Sequence, residues 1–467
     1  MKSPSGIACW GTALVLVGAG LICQAVLAAT PAPQDQDTAR IAEIMHRLRD
    51  VRRFDAVSVA PNGRIVAWTV TEKAPAESGG KETAAGVGKK PAQGAKAGSA
   101  ANGGKPGQVL QTANADGTNV RTVTIAKAAK SCRYSNLNWS PDGKTLAFLS
   151  NCNHGASSDE QFDIYEVSAS DAEARRVSHL HGLVSQLAWT PNGSELSFLY
   201  VKGDVHPVSA VSATKALIGV IGETGVERQG VAVLPASGGE VRQITPGSIF
   251  IYEYDWSPTG NGLAYIGAPP PGRDNWWTAK LYTQTLEGAP VVALDPSSVA
   301  GPLHGLQIAL PRWSPDGSRI ALIGGLMSDQ GATAGDVYVL RADGGEPVDV
   351  TPDITISPSW LTWTGNHALL VSSIAGGSTQ LSVFALHGTR PATQRPLLAE
   401  PAGLRDGTFA SAVSVSARHD VLAFIGSTFD SPPEIFAGSL RANAAAEPVG
   451  VLGQPQHSVG GACSWLR

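Results

Sequence analysis

The sequence predicts an all-β fold, a seven-bladed β-propeller of four-stranded antiparallel blades with a short N-terminal helix. Three observations predict it: a turn phrase that returns seven times, a second strand-turn-strand phrase that follows several of its copies, and a composition rich in Gly and Pro and poor in charge. The clearest copies of the first phrase are Trp139-Ser140-Pro141-Asp142-Gly143 before Leu146-Ala147-Phe148, and Trp313-Ser314-Pro315-Asp316-Gly317 before Ile320-Ala321-Leu322. Looser copies begin at Val59, Trp189 and Trp256, and degraded ones at Trp363 and Val415. Most steps between these anchors are about 50 to 57 residues, near the spacing of propeller blades.

Each copy reads as a hairpin. Pro sets φ for the first central turn position, Asp or Asn suits the second, and Gly accepts the left-handed conformation that ends a type I turn with a bulge. The residues that follow alternate in size with period two, as a half-buried strand does. The second phrase, Asp163-Ile164-Tyr165-Glu166-Val167 or Asp336-Val337-Tyr338-Val339-Leu340, leads into a turn such as Ala342-Asp343-Gly344-Gly345 and a further strand. Two hairpins make a four-stranded blade, and the propeller is expected to span residues 55–452. The Trp, Pro, Asp and Gly residues of the phrase read as turn and core residues.

Residues 1–28 have the pattern of a secretory signal, with Lys2, an apolar stretch from Ile7 to Leu27, and the small-residue end Val26-Leu27-Ala28. Its Gly interruptions favour cleavage over a retained anchor, and no other segment approaches a membrane span. A secreted or periplasmic location follows. Residues 29–54 form an N-terminal segment. In it Ile41, Ile44, Met45, Leu48 and Val51 share one helical face, which predicts a helix within Ala39–Phe54. Lys73–Lys105, within an insertion over 73–105, is Gly, Ala, Lys and Ser with almost no large apolar residue. It reads as a disordered loop between the hairpins of the first blade. Residues 453–467 form a C-terminal tail.

The formal charge of −4 argues against nucleic-acid binding. Beyond the signal, Cys132 and Cys152 lie symmetrically about the Pro141-Asp142 turn. They either face each other across the hairpin or miss by one residue, which would point them to opposite faces. With export to an oxidising compartment, this makes them a disulfide candidate, with two buried thiols as the alternative. Cys463 is left over. The chain shows no Gly-x-Ser-x-Gly elbow, no His-Glu-x-x-His and no phosphate-binding loop. Gly376-Gly377-Ser378-Thr379-Gln380 comes nearest to an elbow but reads as a hairpin turn. His179 and His181 lack a third ligand. No catalytic, metal or cofactor residue is assigned. The densest polar-aromatic cluster, Arg273-Asp274-Asn275-Trp276-Trp277, either lines a ligand mouth or packs as a blade-edge loop.

The repeated phrase, with Asp-[Ile/Val]-Tyr and Ala-Asp-Gly-Gly-Glu after it, resembles the N-terminal propeller of the prolyl oligopeptidase family of serine peptidases. The dipeptidyl- and acylaminoacyl-peptidase branches are the nearer match. Val51-Arg52-Arg53-Phe54 leading to Val59-Ala60-Pro61-Asn62-Gly63, Asn275-Trp276-Trp277 before Lys280-Leu281-Tyr282, and Ser431-Pro432-Pro433-Glu434 carry the resemblance over residues 39–452. TolB-like periplasmic propellers share the turn phrase. The resemblance implies a following α/β-hydrolase domain of roughly 200 or more residues that holds the Ser, Asp and His. The chain stops at Arg467, so no catalytic residue carries over. The expected function is the substrate-gating or accessory propeller of a secreted peptidase, without its catalytic domain and inactive alone. Its partners would be peptides or a separate hydrolase domain or protein. The alternatives are a TolB-like protein-interaction module and, less favoured, a propeller lyase or lactonase with a site in the central channel.

Overall fold

The computed structural model describes residues 33–49, 51–71, 107–126, 132–154, 161–203, 228–270, 275–326, 335–388, 390–397, 403–404, 413–428, 431–440 and 450–451. The signal-like segment 1–28, the insertion 73–105, the tail 453–467 with Cys463, and Arg273 and Asp274 lie outside these residues. The chain divides into a unit of residues 1–48 and a unit of residues 49–467. The helix α1 runs Pro33–Arg49, earlier than the expected Ala39–Phe54. Ile41, Ile44, Met45 and Leu48 are exposed along it. Phe54 is instead a buried strand residue, held in register opposite Val70.

The strands form successive antiparallel meanders. The first eight are β1 (Arg53–Val59), β2 (Ile65–Thr71), β3 (Gln108–Asn114), β4 (Arg121–Ile125), β5 (Tyr134–Trp139), β6 (Thr145–Ser150), β7 (Asp163–Ser168) and β8 (Glu173–Arg176). Next come β9 (Gly182–Trp189), β10 (Glu195–Lys202), β11 (Gly230–Pro235) and β12 (Arg242–Gln243), then β13 (Phe250–Trp256), β14 (Gly262–Ala268), β15 (Lys280–Thr285) and β16 (Val291–Leu294). The last three groups are β17 (Gln307–Trp313), β18 (Arg319–Gly325), β19 (Asp336–Arg341) and β20 (Val348–Asp349); β21 (Ser357–Gly365), β22 (Ala368–Ala375), β23 (Ser378–His387) and β24 (Arg390–Pro396); and β25 (Val413–Val415), β26 (Val421–Gly426), β27 (Glu434–Ser439) and β28 (Gly450–Val451).

Only five of these groups are separate four-stranded sheets, not the seven expected. The strands β1 to β8 form one eight-stranded sheet. The physical cause is a parallel pairing between the outer strands β4 and β8, Thr124 opposite Glu173 and Ile125 opposite Ala174. The Thr124 N–H donates to the Ala172 carbonyl at 2.7 Å, and Arg121 Nη1 donates to the Ser170 carbonyl at 2.9 Å. Two consecutive meanders are thereby joined at their outer edges.

A hydrophobic cluster fills each interface between one meander and the next. Phe148 and Tyr165 pack on Ala60, Ala67 and Leu110, and Leu196 and Phe198 pack on Leu149 and Ile164. The last meander returns to the first, with Ala423, Ile425 and Ile435 against Phe54, Val59 and Trp68. No strand is exchanged across this seam among the described residues. Packing closes it, with the Val59 N–H donating to Ser414 Oγ at 3.0 Å and the Ala417 N–H to the Pro61 carbonyl at 3.1 Å.

The turn phrase behaves as its chemistry requires. The Gly143, Gly193, Gly260 and Gly317 N–H groups donate to Ser140, Thr190, Ser257 and Ser314 carbonyls at 2.8–2.9 Å, and these glycines have φ of 70–71°. In the degraded last copy His419 takes the same left-handed place at φ 53°. Ser140 Oγ and Ser314 Oγ donate to the Asp142 and Asp316 carboxylates at 2.6 Å, which holds both below the ordinary carboxylate range. Gly376 and Gly377 form the two-residue turn between β22 and β23, both with positive φ.

The anchor tryptophans do more than fill the core. The Trp139, Trp189 and Trp363 indole N–H groups donate to the carbonyls of Ser58, Asn138 and Arg312 at 3.3, 3.1 and 2.9 Å. Each acceptor stands one residue before the anchor of the preceding meander. Trp256 Nε1 donates instead to Ser197 Oγ at 2.8 Å, and Trp313 Nε1 is buried without a partner.

Trp189→Phe removes the indole donor to the Asn138 carbonyl, which keeps its place in the β5–β6 ladder, so it is expected to cost about 0.5–1.5 kcal/mol more than Trp313→Phe, whose indole N–H bonds nothing. Urea unfolding midpoints of the two variants check this. Gly317→Ala is expected to cost about 1 kcal/mol in the same assay, from the left-handed backbone. An added Cβ there comes no nearer than 3.7 Å to Pro258, so steric crowding does not contribute.

Candidate functional site: the central channel

The first strands β1, β5, β9, β13, β17 and β21 each carry a β-bulge a few residues before the turn phrase. The register shifts between Phe54 and Ala56, Ser135 and Asn138, Ser197 and Leu199 (on the partner strand), Ile251 and Glu253, Ala309 and Arg312, and Pro358 and Trp360. Three of the bulges hold a non-glycine residue in the left-handed region, Asn136 (φ 52°), Gln186 (φ 50°) and Leu310 (φ 56°). Bulges re-aim side chains, and here they aim them into a common cavity.

That cavity has a volume of about 690 Å³ and is lined from β1, β5, β9, β13, β17, β21 and β25. The residue three before each anchor lines it in six of the meanders: Ala56, Asn136, Gln186, Glu253, Leu310 and Trp360. Ala188, Asp255 and Arg312, one before their anchors, also line it, as do Asp55 and Val413. In chain order the wall presents the Asp55 carboxylate on β1, amides on β5 and β9, two carboxylates on β13, a guanidinium on β17 and an indole on β21.

Hydrogen bonds between neighbouring first strands fix these side chains. Glu253 Oε2 accepts the Leu310 N–H, and Asp255 Oδ2 accepts the Trp313 N–H at 2.8 Å. Asn136 Oδ1 accepts the Leu187 N–H at 3.1 Å, and Gln186 Nε2 donates to the Tyr252 carbonyl at 3.0 Å. The Tyr254 hydroxyl donates to the Gln186 carbonyl at 2.8 Å. Burial pushes the Asp255 carboxyl up to about 6, against the opposing pull of the Arg312 guanidinium and the Trp313 and Trp256 N–H groups. Burial also raises Glu253, opposed by the Leu310 N–H and by Arg312. Asp255 thus exchanges its proton in the mildly acidic range, beside the Arg312 guanidinium.

The residues singled out from the sequence sit elsewhere. Trp276, Trp277 and Thr278 form a short 3-10 turn between β14 and β15, with the two indoles edge to face at 6.0 Å and Trp277 exposed. Asn275 precedes the turn and donates through Nδ2 to the Pro269 carbonyl at 3.1 Å. None of the three lines the channel. Cys132 and Cys152 come together at the end of the β5–β6 hairpin, with Cα atoms 4.7 Å apart and their sulfurs joined. His179 and His181 lie in the connection between β8 and β9, not on a strand. Among the described residues no group of three metal-ligating side chains occurs, no helix is long and apolar enough to cross a membrane, and no histidine lines the channel. The channel residues escaped sequence reading because their types differ from copy to copy. Their constant distance from the anchor was the available signal.

No family model and no curated protein matches the chain. Solved structures do. The chain is similar to the acylaminoacyl peptidase of Pyrococcus horikoshii, with 14% identity and a TM-score of 0.53, over 83% of this chain and 51% of that one. It is similar to the β-propeller domain of the trilobed protease from Pyrococcus furiosus, with 12% identity and a TM-score of 0.51, over 85% of this chain and 97% of that one. The chain has the β-propeller fold. A puromycin-hydrolysing peptidase of Mycobacterium tuberculosis matches 87% of this propeller chain with 55% of its own length, at 14% identity and a TM-score of 0.54. The propeller chain thus spans about half the length of the two whole peptidases.

The Asp255 shift predicts a pH dependence. A carboxyl raised in the folded state binds its proton more tightly there than in the unfolded chain. Its contribution to stability is therefore present below the ordinary carboxylate range and is lost as pH rises toward about 6. Asp255→Asn keeps an acceptor for the Trp313 N–H and removes this loss. The melting temperature of the variant relative to the natural chain is expected to be higher at pH 7 than at pH 4.

Proposed function

We propose that this chain is the propeller portion of an exported serine peptidase of the prolyl oligopeptidase kind, gating substrate to a catalytic domain and having no peptidase activity of its own. The observation that carries this reading is the channel. Its volume of about 690 Å³ suits a short peptide and is far too small for a folded protein, so a catalytic domain beyond it would see only short chains. The likeness of fold to whole peptidases about twice as long, and to an isolated protease propeller of nearly the same extent, supports the same division of labour. In this reading the eight-stranded sheet counts as two blades joined at their rim, which gives seven in the ring. The signal-like residues 1–28 support export to a secreted or periplasmic location.

The reading is tested on purified residues 29–467 with chromogenic dipeptide and acyl-peptide substrates. No turnover is expected. Hydrolysis that a serine-directed inhibitor abolishes would contradict it.

A further inference from the structure

The β5–β6 hairpin has two registers. Next to the turn, Trp139 pairs with Leu146 and Asn138 with Ala147; beyond the bulge, Ser135 pairs with Leu149 and Tyr134 with Ser150. Extending the second register two residues sets Cys132 against Cys152. Extending the first would miss by one residue and turn the two side chains to opposite faces. The link between the sulfurs is therefore compatible only with the bulged strand. The bulge is also what holds Asn136 left-handed at the channel wall, where its Oδ1 accepts the Leu187 N–H.

A second connection runs toward the first meander. The Cys132 carbonyl accepts the Gln108 N–H at 2.8 Å, and Gln108 Oε1 accepts the Tyr134 N–H at 2.7 Å. Gln108 Nε2 donates to Asp55 Oδ2 at 2.6 Å, and Thr71 Oγ1 donates to the same oxygen at 3.0 Å. Asp55 lines the channel. One side chain thus ties the cystine segment to a wall residue on the neighbouring meander.

We propose that the Cys132–Cys152 disulfide is a lock on the channel, holding the β5 bulge that presents Asn136 and, through Gln108, the position of Asp55. Reduction by a dithiol adds two electrons and two protons to the cystine, leaving two thiols, while the dithiol closes to its own disulfide. With Cys132 and Cys152 only 5% and 2% exposed, exchange requires local opening, so the device is a slow lock. It concerns the wall itself and holds whether or not the channel serves a peptidase.

Two measurements on residues 29–467 test it. Peptide mapping without reductant is expected to recover Cys132 linked to Cys152, and free thiols at both positions overturn the proposal. Hydrogen exchange is then compared before and after dithiothreitol. Protection is expected to fall by about tenfold or more in 53–59 and 132–139 and to stay unchanged in 307–313 and 319–325. No change in the first two segments, or equal loss in all four, overturns it. Gln108→Leu with the disulfide intact is expected to release 53–59 and the Tyr134 amide while leaving 135–139 protected. Retained protection of 53–59 in that variant overturns the coupling.

Discussion

The structure depends on one repeated contact, the indole N–H of a turn-phrase tryptophan reaching the main chain of the meander before it. Trp139, Trp189 and Trp363 each donate to a carbonyl one residue ahead of the preceding anchor. That carbonyl belongs to the strand bordering the channel. The bond therefore adds a second donor to a ladder carbonyl near the wall and sets how far one meander is offset from the next. The turns repeat the offset, because Gly193, Gly260 and Gly317 lie against Pro141, Pro191 and Pro258 of the preceding copies. A phrase that looks local is thus an inter-sheet joint. The Trp supplies a donor, the Gly permits the turn, and the Pro gives the next turn a surface to rest on.

The exceptions mark where the wall is chemically loaded. Trp256 turns to Ser197 Oγ, which also meets the Tyr254 hydroxyl at 3.0 Å. At Trp313 the main-chain N–H is taken by the Asp255 carboxylate, and the indole N–H has no partner. Both departures fall around the strand that carries Glu253 and Asp255. A buried carboxylate needs donors, and Glu253 and Asp255 draw main-chain N–H groups from the neighbouring strand. Both departures border the arc of the wall that carries Glu253, Asp255 and Arg312.

Much of this was legible in the sequence, for local reasons. Pro141-Asp142-Gly143 specifies its own turn, and the alternation after it specifies a strand, so hairpins and their order could be read directly. The symmetric placing of Cys132 and Cys152 could be read to within one residue. It could not be read further, because the bulge at Asn136 carries no Gly or Pro to announce it. The channel was not legible because Asn136, Gln186, Glu253, Leu310 and Trp360 share a position and no chemistry. The fusion of the first eight strands was hidden for another reason. It rests on two residue pairs, Thr124 with Glu173 and Ile125 with Ala174, in short outer strands with no pattern of their own. The cluster at Asn275–Trp277 looked like a site because aromatic and polar residues crowd there, but the 3-10 turn keeps it off the channel wall.

The central claim is that the anchor indoles are bonded between meanders, and indole proton exchange tests it most directly. With ¹⁵N-labelled tryptophan, the Nε1–H signals of Trp139, Trp189 and Trp363 are expected to persist after transfer to D₂O. That of Trp277, which is 52% exposed, should vanish at once. Exchange of the three anchor signals as fast as that of Trp277 would contradict the account.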